Sequence, residues 1–537
     1  MEALRELHAV MAAADSQDFV DKCEDWFDAL SLHVGWRAES STERDLAWLL
    51  LTDLVRESAV FPNLSRTLGS GKLQKRIVDA LKQPMTAELL IFLNALVRFY
   101  PGSCGSNQAD LTALALSALE HSDIVVRTSG ADFLTLACRL GPAGEKGTLH
   151  TRAWTELTEK LLNTLKLHIA GSFDRELVVA QDLTPASYLK LRPLDSFAFD
   201  AVTQRVETLF MGLERSLEAG VELQLAPRFP MTSFMEVLQS ALVKDVTDCP
   251  PEFLPRLHRA GLAALKFVSQ AVGLHLAPFC RRLYQLLLDE LLWAQQSAHH
   301  DLQEDACSAL TNLIDQFGIS TGAHLSFDRL WKAIGENIVG TGEKRSATQL
   351  MRASANAGQM SGNKKRKRKH GETSGHASDL FVGRRPQWRG KRSVLVASCS
   401  LLSSVLRMVG SFVKSEILTE CQRSISALAL SIAAARRRNE LHDGTDVQVG
   451  VLSVLRQLLQ IGHASVAAPA QIATTVFALC AQQVETRVRI EAQLGMAVCR
   501  TLSRPLMPSL ESAVVSAAPK SAAATVEDDV EEPIILN

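Results

Sequence analysis

The stretch Val206-Glu-Thr-Leu209-Phe210-Met-Gly-Leu213-Glu-Arg-Ser-Leu217 decides the fold class. Its large apolar residues fall at i, i+3, i+4, i+7 and i+11, the spacing that lines them up on one stripe of an α-helix. Leu262, Leu265, Val268 and Val272 repeat the pattern, and Leu452, Leu455, Leu458 and Leu459 repeat it far downstream. No set of period-two segments competes with it. With 3 tyrosines in 537 residues and few β-branched runs, the chain is poor in the residues that favour sheets. The prediction is an all-α protein.

Outward from these stripes, helices of about 12–20 residues are punctuated by Phe61-Pro-Asn, Pro101-Gly-Ser, Gly141-Pro-Ala-Gly and Asp248-Cys-Pro-Pro. Such punctuation over several hundred residues predicts a HEAT/armadillo-like helical-repeat solenoid with degenerate repeats; a large irregular bundle is the alternative. Residues 171–200 are the least periodic part of the first half and read as an extended loop. After Val339 the composition shifts to Gly, Ser, Ala, Lys and Arg. Between Glu343 and Arg392 there are 14 Lys/Arg against 3 Asp/Glu, a net of +11, so the remainder of a chain of net charge -2 carries -13. A segment this polar buries too little apolar surface to offset its chain entropy. The expected organisation is an N-terminal helical-repeat domain over residues 1–338 and a disordered basic linker over 339–391. A C-terminal helical-repeat domain over 392–510 and a disordered acidic tail over 511–537 follow.

A hydrophobic fraction of 47% excludes disorder throughout, and the near-neutral total excludes a uniformly basic nucleic-acid coat. No run approaches 18 consecutive apolar residues, so no membrane span is expected. Met1-Glu-Ala-Leu-Arg-Glu-Leu mixes charge with leucine and is not a signal peptide, which predicts an intracellular protein. Cys23, Cys104, Cys138, Cys249, Cys280, Cys307, Cys399, Cys421, Cys480 and Cys499 contain no C-x-x-C pair. They read as buried thiols in a reducing compartment rather than as a zinc site or disulfide framework.

Enzyme motifs fail on their context. Gly318-Ile-Ser320-Thr-Gly322 matches a nucleophile elbow in spelling, yet the helical stripe Leu310, Leu313, Ile314, Phe317 precedes it, so Gly318 reads as a helix C-terminus. Gly69-Ser-Gly-Lys72 lacks the first P-loop glycine, where Arg66 stands, and has Leu73 in place of the Ser/Thr that holds magnesium. His299-His300-Asp301 reads as a polar helix end, because adjacent histidines project in different directions. No catalytic residue, cofactor or metal ligand is assigned.

Lys364, Lys365, Arg366, Lys367, Arg368 and Lys369 form six consecutive cations between Gly/Ser-rich flanks. An extended basic string of this kind fits the acidic groove of a nuclear import receptor, and the same charges attract RNA without regard to sequence. Arg384, Arg385, Arg389, Lys391 and Arg392 surround Trp388, adding a ring on which a base could stack. Four L-x-x-L-L strings (46–50, 283–287, 288–292 and 455–459) could dock on a partner groove. The expectation for each is core packing, since leucine-rich helices produce the string by their own periodicity.

Phe99-Tyr-Pro-Gly-Ser-Cys-Gly-Ser106 resembles the aromatic-Pro-x-x-Cys-Gly-Ser signature of the proline-, glutamic acid- and leucine-rich protein family, the scaffold of the rixosome. Residues 43–81, Trp154 with the 157–168 helix, Leu254–Trp293 and 394–429 resemble that family's segments in the same order. The family's long proline-rich and polyglutamate tail is missing here; only Glu527–Glu532 corresponds to its acidic end. The resemblance implies a non-catalytic scaffold in removal of the second internal transcribed spacer and in large ribosomal subunit biogenesis, located in the nucleus (nucleolus and nucleoplasm). It also implies as partners a WD-repeat subunit, a second helical-repeat subunit, the pre-ribosomal particle and a second copy in a homodimer. The rival class is a nuclear helical-repeat adaptor or transcriptional co-regulator acting through the L-x-x-L-L strings. At the C-terminus, Ile534, Ile535 and Leu536 follow five carboxylates, a string able to add to an exposed sheet edge. That arrangement resembles a SUMO-interacting motif, with SUMO or a SUMO protease as the expected partner.

Overall fold

A computed structural model describes residues 2–34, 40–69, 73–140, 148–173, 186–192, 199–222, 229–243, 250, 252–339, 391–437 and 444–503. Among them there is no strand. The chain forms two compact units, residues 1–417 and 418–537.

The first unit opens with α1 (Glu2–Ala13), α2 (Ser16–Val34), α3 (Ser41–Ser58) and the short α4 (Pro62–Thr67) and α5 (Leu73–Ala80). α6 (Ala87–Phe99), α7 (Pro101–Cys104), α8 (Gln108–Leu119), α9 (Ile124–Leu136) and α10 (Thr148–Phe173) follow. It continues through α11 (Phe199–Glu222), α12 (Met231–Ala241), α13 (Phe253–Val272), α14 (Cys280–Gln296), α15 (His300–Phe317), α16 (Phe327–Val339) and α17 (Arg392–Val409). Local chemistry sets the starts and stops. Ser40, Thr86 and Asp123 cap α3, α6 and α9 by accepting from the amides of Glu43, Leu89 and Val125. Gly273 and Gly318 end α13 and α15 at φ +56° and +52°, a backbone region closed to most side chains.

Packing then makes a repeat. α3, α6, α9, α11, α13, α15 and α17 form one row in which each helix packs on the next. The second row includes α2, α8, α10, α12, α14 and α16, each packed on row-one helices such as α3, α9, α11, α13, α15 and α17 respectively. This is the two-row stacking of a HEAT/armadillo-like helical-repeat solenoid. The predicted stripes fill the interface: Val206, Leu209, Phe210, Leu213 and Leu217 on α11, and Leu262, Leu265, Val268 and Val272 on α13, are all buried. Aromatic and polar contacts fix the register. Trp48 of α3 meets Phe92 of α6 at 4.8 Å. Trp154 of α10 donates to the Ser216 carbonyl of α11 at 2.7 Å, and Gly220 lets the two helices approach, because a Cβ there would fall 2.5 Å from the Trp154 ring.

The division of the chain differs from the sequence expectation. α17 follows the basic stretch, yet it packs on α15 and α16 and belongs to the first unit. Its buried face (Val394, Leu395, Cys399, Leu401, Leu402, Val405, Leu406, Val409) continues the row. Ser398 receives a hydrogen bond from Asn337 of α16 at 3.4 Å, and Arg407 pairs with Asp315 of α15 at 2.7 Å. The second helical block therefore begins at Leu418 rather than at 392. Pro101-Gly-Ser, read as a break, is the one-turn helix α7. Of the 171–200 stretch, residues 171–173 end α10, residues 199–200 begin α11, and residues 186–192 lie against α10, with the Leu189 amide donating to Thr164 Oγ1 at 2.9 Å.

The second unit takes up most of α18 (Ser415–Arg437), then α19 (Thr445–Gln460), α20 (Ala470–Cys480) and α21 (Thr486–Ser503). α19 and α20 both pack on α21. Arg456 and Glu491 bridge α19 and α21 at 2.7 Å. By length and apolar content alone, the stretches Phe253–Gln296 and Arg392–Phe412 could cross a membrane, contrary to the sequence expectation. In the fold the first is broken into α13 and α14 around Pro278, and the apolar faces of both stretches meet other helices.

Candidate interaction surfaces

The basic string, residues 364–369, and the apolar tail residues 534–536 lie outside the described residues. So do Arg384, Arg385, Trp388 and Arg389; Lys391 and Arg392 are described. The Lys391 ammonium pairs with Asp301 in the first turn of α15, and that hydrogen bond holds the Asp301 carboxyl below its ordinary range. The basic segment thus ends against the helix on which α17 packs.

The family-like signature knits three elements together. Tyr100 ends α6, is buried, and its hydroxyl shares a 2.8 Å hydrogen bond with Ser58 Oγ of α3. Burial pushes its phenol upward. Pro101 starts α7, where its missing N–H costs nothing. Ser103 donates to the Gly69 carbonyl at 3.1 Å, and Gln74 of α5 donates to Ser106 at 3.0 Å. Cys104 points into the core. The signature clamps the α4–α5 excursion onto the end of α6.

The L-x-x-L-L strings divide. Leu455, Leu458 and Leu459 are all buried, as are Leu283, Leu287, Leu288 and Leu291 along α14. In the 46–50 string Leu50 is buried, Leu46 half-buried and Leu49 exposed. The leucines of the 455–459 string could reach a partner groove only by local unfolding.

The Gly318–Gly322 and His299–Asp301 strings lie at helix ends, and residues 70–72 of the Gly69–Lys72 string lie outside the described residues. Gly318 caps α15 and a 3-10 turn follows, so Ser320 sits on no strand-to-helix elbow; its carbonyl accepts from the Cys280 thiol at 3.2 Å. His299 precedes α15 and its ring lies 5.5 Å from Trp293. Every cysteine among the described residues is a buried free thiol, and burial pushes Cys104, Cys138, Cys307 and Cys399 up to about 12. Thiolates are disfavoured at such sites. No group of three His, Cys, Asp or Glu among the described residues could hold a metal.

Two polar centres went unread because their members are distant in sequence. His258 of α13 and Glu290 of α14 are fully buried, with Nδ1 and Oε1 2.8 Å apart; Nε2 meets the Val243 carbonyl at 2.9 Å and Trp293 packs on the ring at 4.7 Å. The Nε2 contact to a carbonyl requires that nitrogen to carry its proton. Glu120, at the end of α8, accepts from the Arg192 amide at 2.6 Å and from Arg205 of α11 at 3.1 Å. Close by, His168 is pushed down to about 4, first by burial and then by Arg205. These centres pin helices and loops to each other.

A third feature lies on the surface. Ile319, Leu325 and Phe412 are exposed in the short turns that end α15, precede α16 and follow α17. Phe412 lies 6.1 Å from the His324 ring, and the Met408 methyl lies against Gly318. Turn sequences carry no periodicity, so no pattern announces this patch.

No protein-family model matches the chain. Among solved structures it is similar to importin beta crystallised in an ammonium sulfate condition, at 13% identity and a TM-score of 0.42, over 93% of this chain and 55% of that one. Kap121p bound to Nup53p is similar at 12% identity and a TM-score of 0.42, over 96% of this chain and 50% of that one. Among curated proteins, the chain is 21% identical over 586 residues to Proline-, glutamic acid- and leucine-rich protein 1 of Xenopus laevis. That match takes in 100% of this chain and 55% of the relative, so the chain spans about half the length of the curated protein it resembles.

Proposed function

We propose that the chain is a non-catalytic scaffold subunit of a rixosome-type complex, acting in the nucleus on the second internal transcribed spacer during large ribosomal subunit biogenesis. The observation that carries this reading is the match to the Xenopus protein along the whole chain. It agrees with the order of the family-like segments, and the two-row solenoid offers the extended faces on which scaffolds assemble partners. The proposed partners are a WD-repeat subunit, a second helical-repeat subunit, the pre-ribosomal particle and a second copy of the chain. An import receptor would take residues 364–369, and SUMO or a SUMO protease would take residues 534–536.

Affinity purification from nuclear extract tests the assignment. Recovery of WD-repeat and ribosome-assembly factors, with precursor RNA still carrying the second spacer after depletion, is the expected outcome. Normal precursor processing after complete depletion contradicts it. Replacing residues 364–369 with alanine should move a fluorescent fusion toward the cytoplasm; unchanged nuclear signal would remove the import role from that string. The rival co-regulator reading needs exposed L-x-x-L-L leucines; the burial of Leu455, Leu458 and Leu459 counts against the 455–459 string, while the exposed Leu49 leaves the 46–50 string as its candidate.

A further inference from the structure

The first three helices enclose a groove of about 360 Å³ between the C-terminal half of α1, the Ala14–Ser16 turn, the start of α2 and the last turns of α3. Its floor is Met11, Phe19, Leu54 and Phe61. Leu54 is buried, while Phe19 and Phe61 are half-buried. The two rings stack with centroids 5.7 Å and planes 29° apart, and Trp26 sets its edge against Phe19 at 5.9 Å. The aromatic surface is therefore held in place before any ligand arrives.

The mouth is acidic. Asp15, Asp53 and Glu57 line it, against His8. Asp15 already caps α2 by accepting from the Gln17 and Asp18 amides at 3.0 and 2.8 Å, and Asp53 takes a 3.4 Å contact from Arg56. Glu57 has no side-chain hydrogen bond or ion pair among the described residues. α1 ends at the groove with no basic side chain in its last turn, which leaves the negative end of its dipole uncompensated. Residues 1–58 carry 13 Asp/Glu against 5 Lys/Arg, so the wider field has the same sign.

An anion would be repelled here, and a purely apolar ligand would desolvate the carboxylates without return. The arrangement suits a cation with a flat, weakly hydrated head that can lie on a phenyl ring while its edge donates to a carboxylate. Among side chains that is arginine; a lysine ammonium keeps its water more tightly and cannot stack. We propose that this groove docks an arginine-bearing basic peptide segment of a partner protein. Glu57 receives the guanidinium, Phe19 and Phe61 hold its stem and plane, and the surrounding acidic helices speed encounter.

The test is fluorescence polarisation on the full chain with a fluorescein-labelled tetra-arginine peptide, and with tetra-lysine for comparison. Tetra-arginine should bind several-fold more tightly than tetra-lysine. The paired exposed substitutions Asp53→Asn and Glu57→Gln should weaken tetra-arginine about tenfold, as expected for loss of charge-assisted hydrogen bonds. The control pair Asp289→Asn and Asp305→Asn removes the same charge elsewhere and should change affinity less than about twofold. Circular dichroism keeps misfolded variants out of the comparison. Equal binding of both peptides, an equal loss in the control pair, or no binding of tetra-arginine to the wild type would each overturn the proposal.

Discussion

α17 and α1 both lie at the margins of the first unit, and both show leucines at helical spacing, yet they are held very differently. α17 buries a continuous face from Val394 to Val409, and its polar Ser398 and charged Arg407 are tied to α16 and α15. α1 buries Leu4 alone. Following the basic stretch did not release α17 from the row, whereas α1 meets α2 and α3 with little buried apolar surface. Membership of a packed unit follows from how much apolar face an element brings, with each fully buried leucine contributing about 1.5–3 kcal/mol. Position in the sequence is secondary.

The sharpest way to break this contrast is Leu402→Ala. Leu402 is fully buried in the middle of α17, and the substitution should cost about 2–5 kcal/mol in urea unfolding of the first unit. A cost near zero would mean that α17 is not part of that unit. His168, half-buried on α10 of the second row, offers a pH-dependent probe. Its folded value near 4 lies below the ordinary 6.5, so the fold favours the neutral ring. The stabilisation is fully present above pH 6.5 and is lost as pH falls from 6.5 towards 4, because the unfolded chain then binds the extra proton. The loss should be about 1–3 kcal/mol after allowing for solvent screening, and His168→Gln should flatten that slope.

Tyr100→Phe tests the signature at smaller scale. Removing the hydroxyl that meets Ser58 should cost about 0.5–1.5 kcal/mol. Gly102→Ala, where a Cβ meets nothing within 4 Å, should stay within about 0.5 kcal/mol. At the weak end, deleting residues 1–13 removes one buried leucine but also the entropy cost of ordering a helix. The unfolding midpoint should move by less than about 1 kcal/mol equivalent.

The same contrast explains how much was legible in advance. The stripes on α11, α13 and α19 were readable because local periodicity alone dictates which face is buried, and Leu209, Leu265 and Leu455 are buried as read. The turn at Gly318 was readable for a similar reason, since a stripe that stops at a glycine marks a helix end. The boundary at Leu418 was not. A composition shift at Val339 looks like a domain edge, and nothing local reveals that the next apolar stripe completes the preceding row. The His258–Glu290 centre and the Ile319, Leu325 and Phe412 patch were hidden because their members meet only through tertiary packing. Phe19, Phe61 and Glu57 share that obstacle: three different elements bring them to one groove.

Helix α17, which follows the basic stretch, belongs to the same packed unit as the helices that precede that stretch. Placing a specific protease site between residues 355 and 360, cutting the purified chain to completion, and passing the product over a sizing column tests it directly. The two fragments should elute together in native buffer, held by α17 on α15 and α16, and separate only in denaturant. Two separately eluting, folded fragments in native buffer would contradict it.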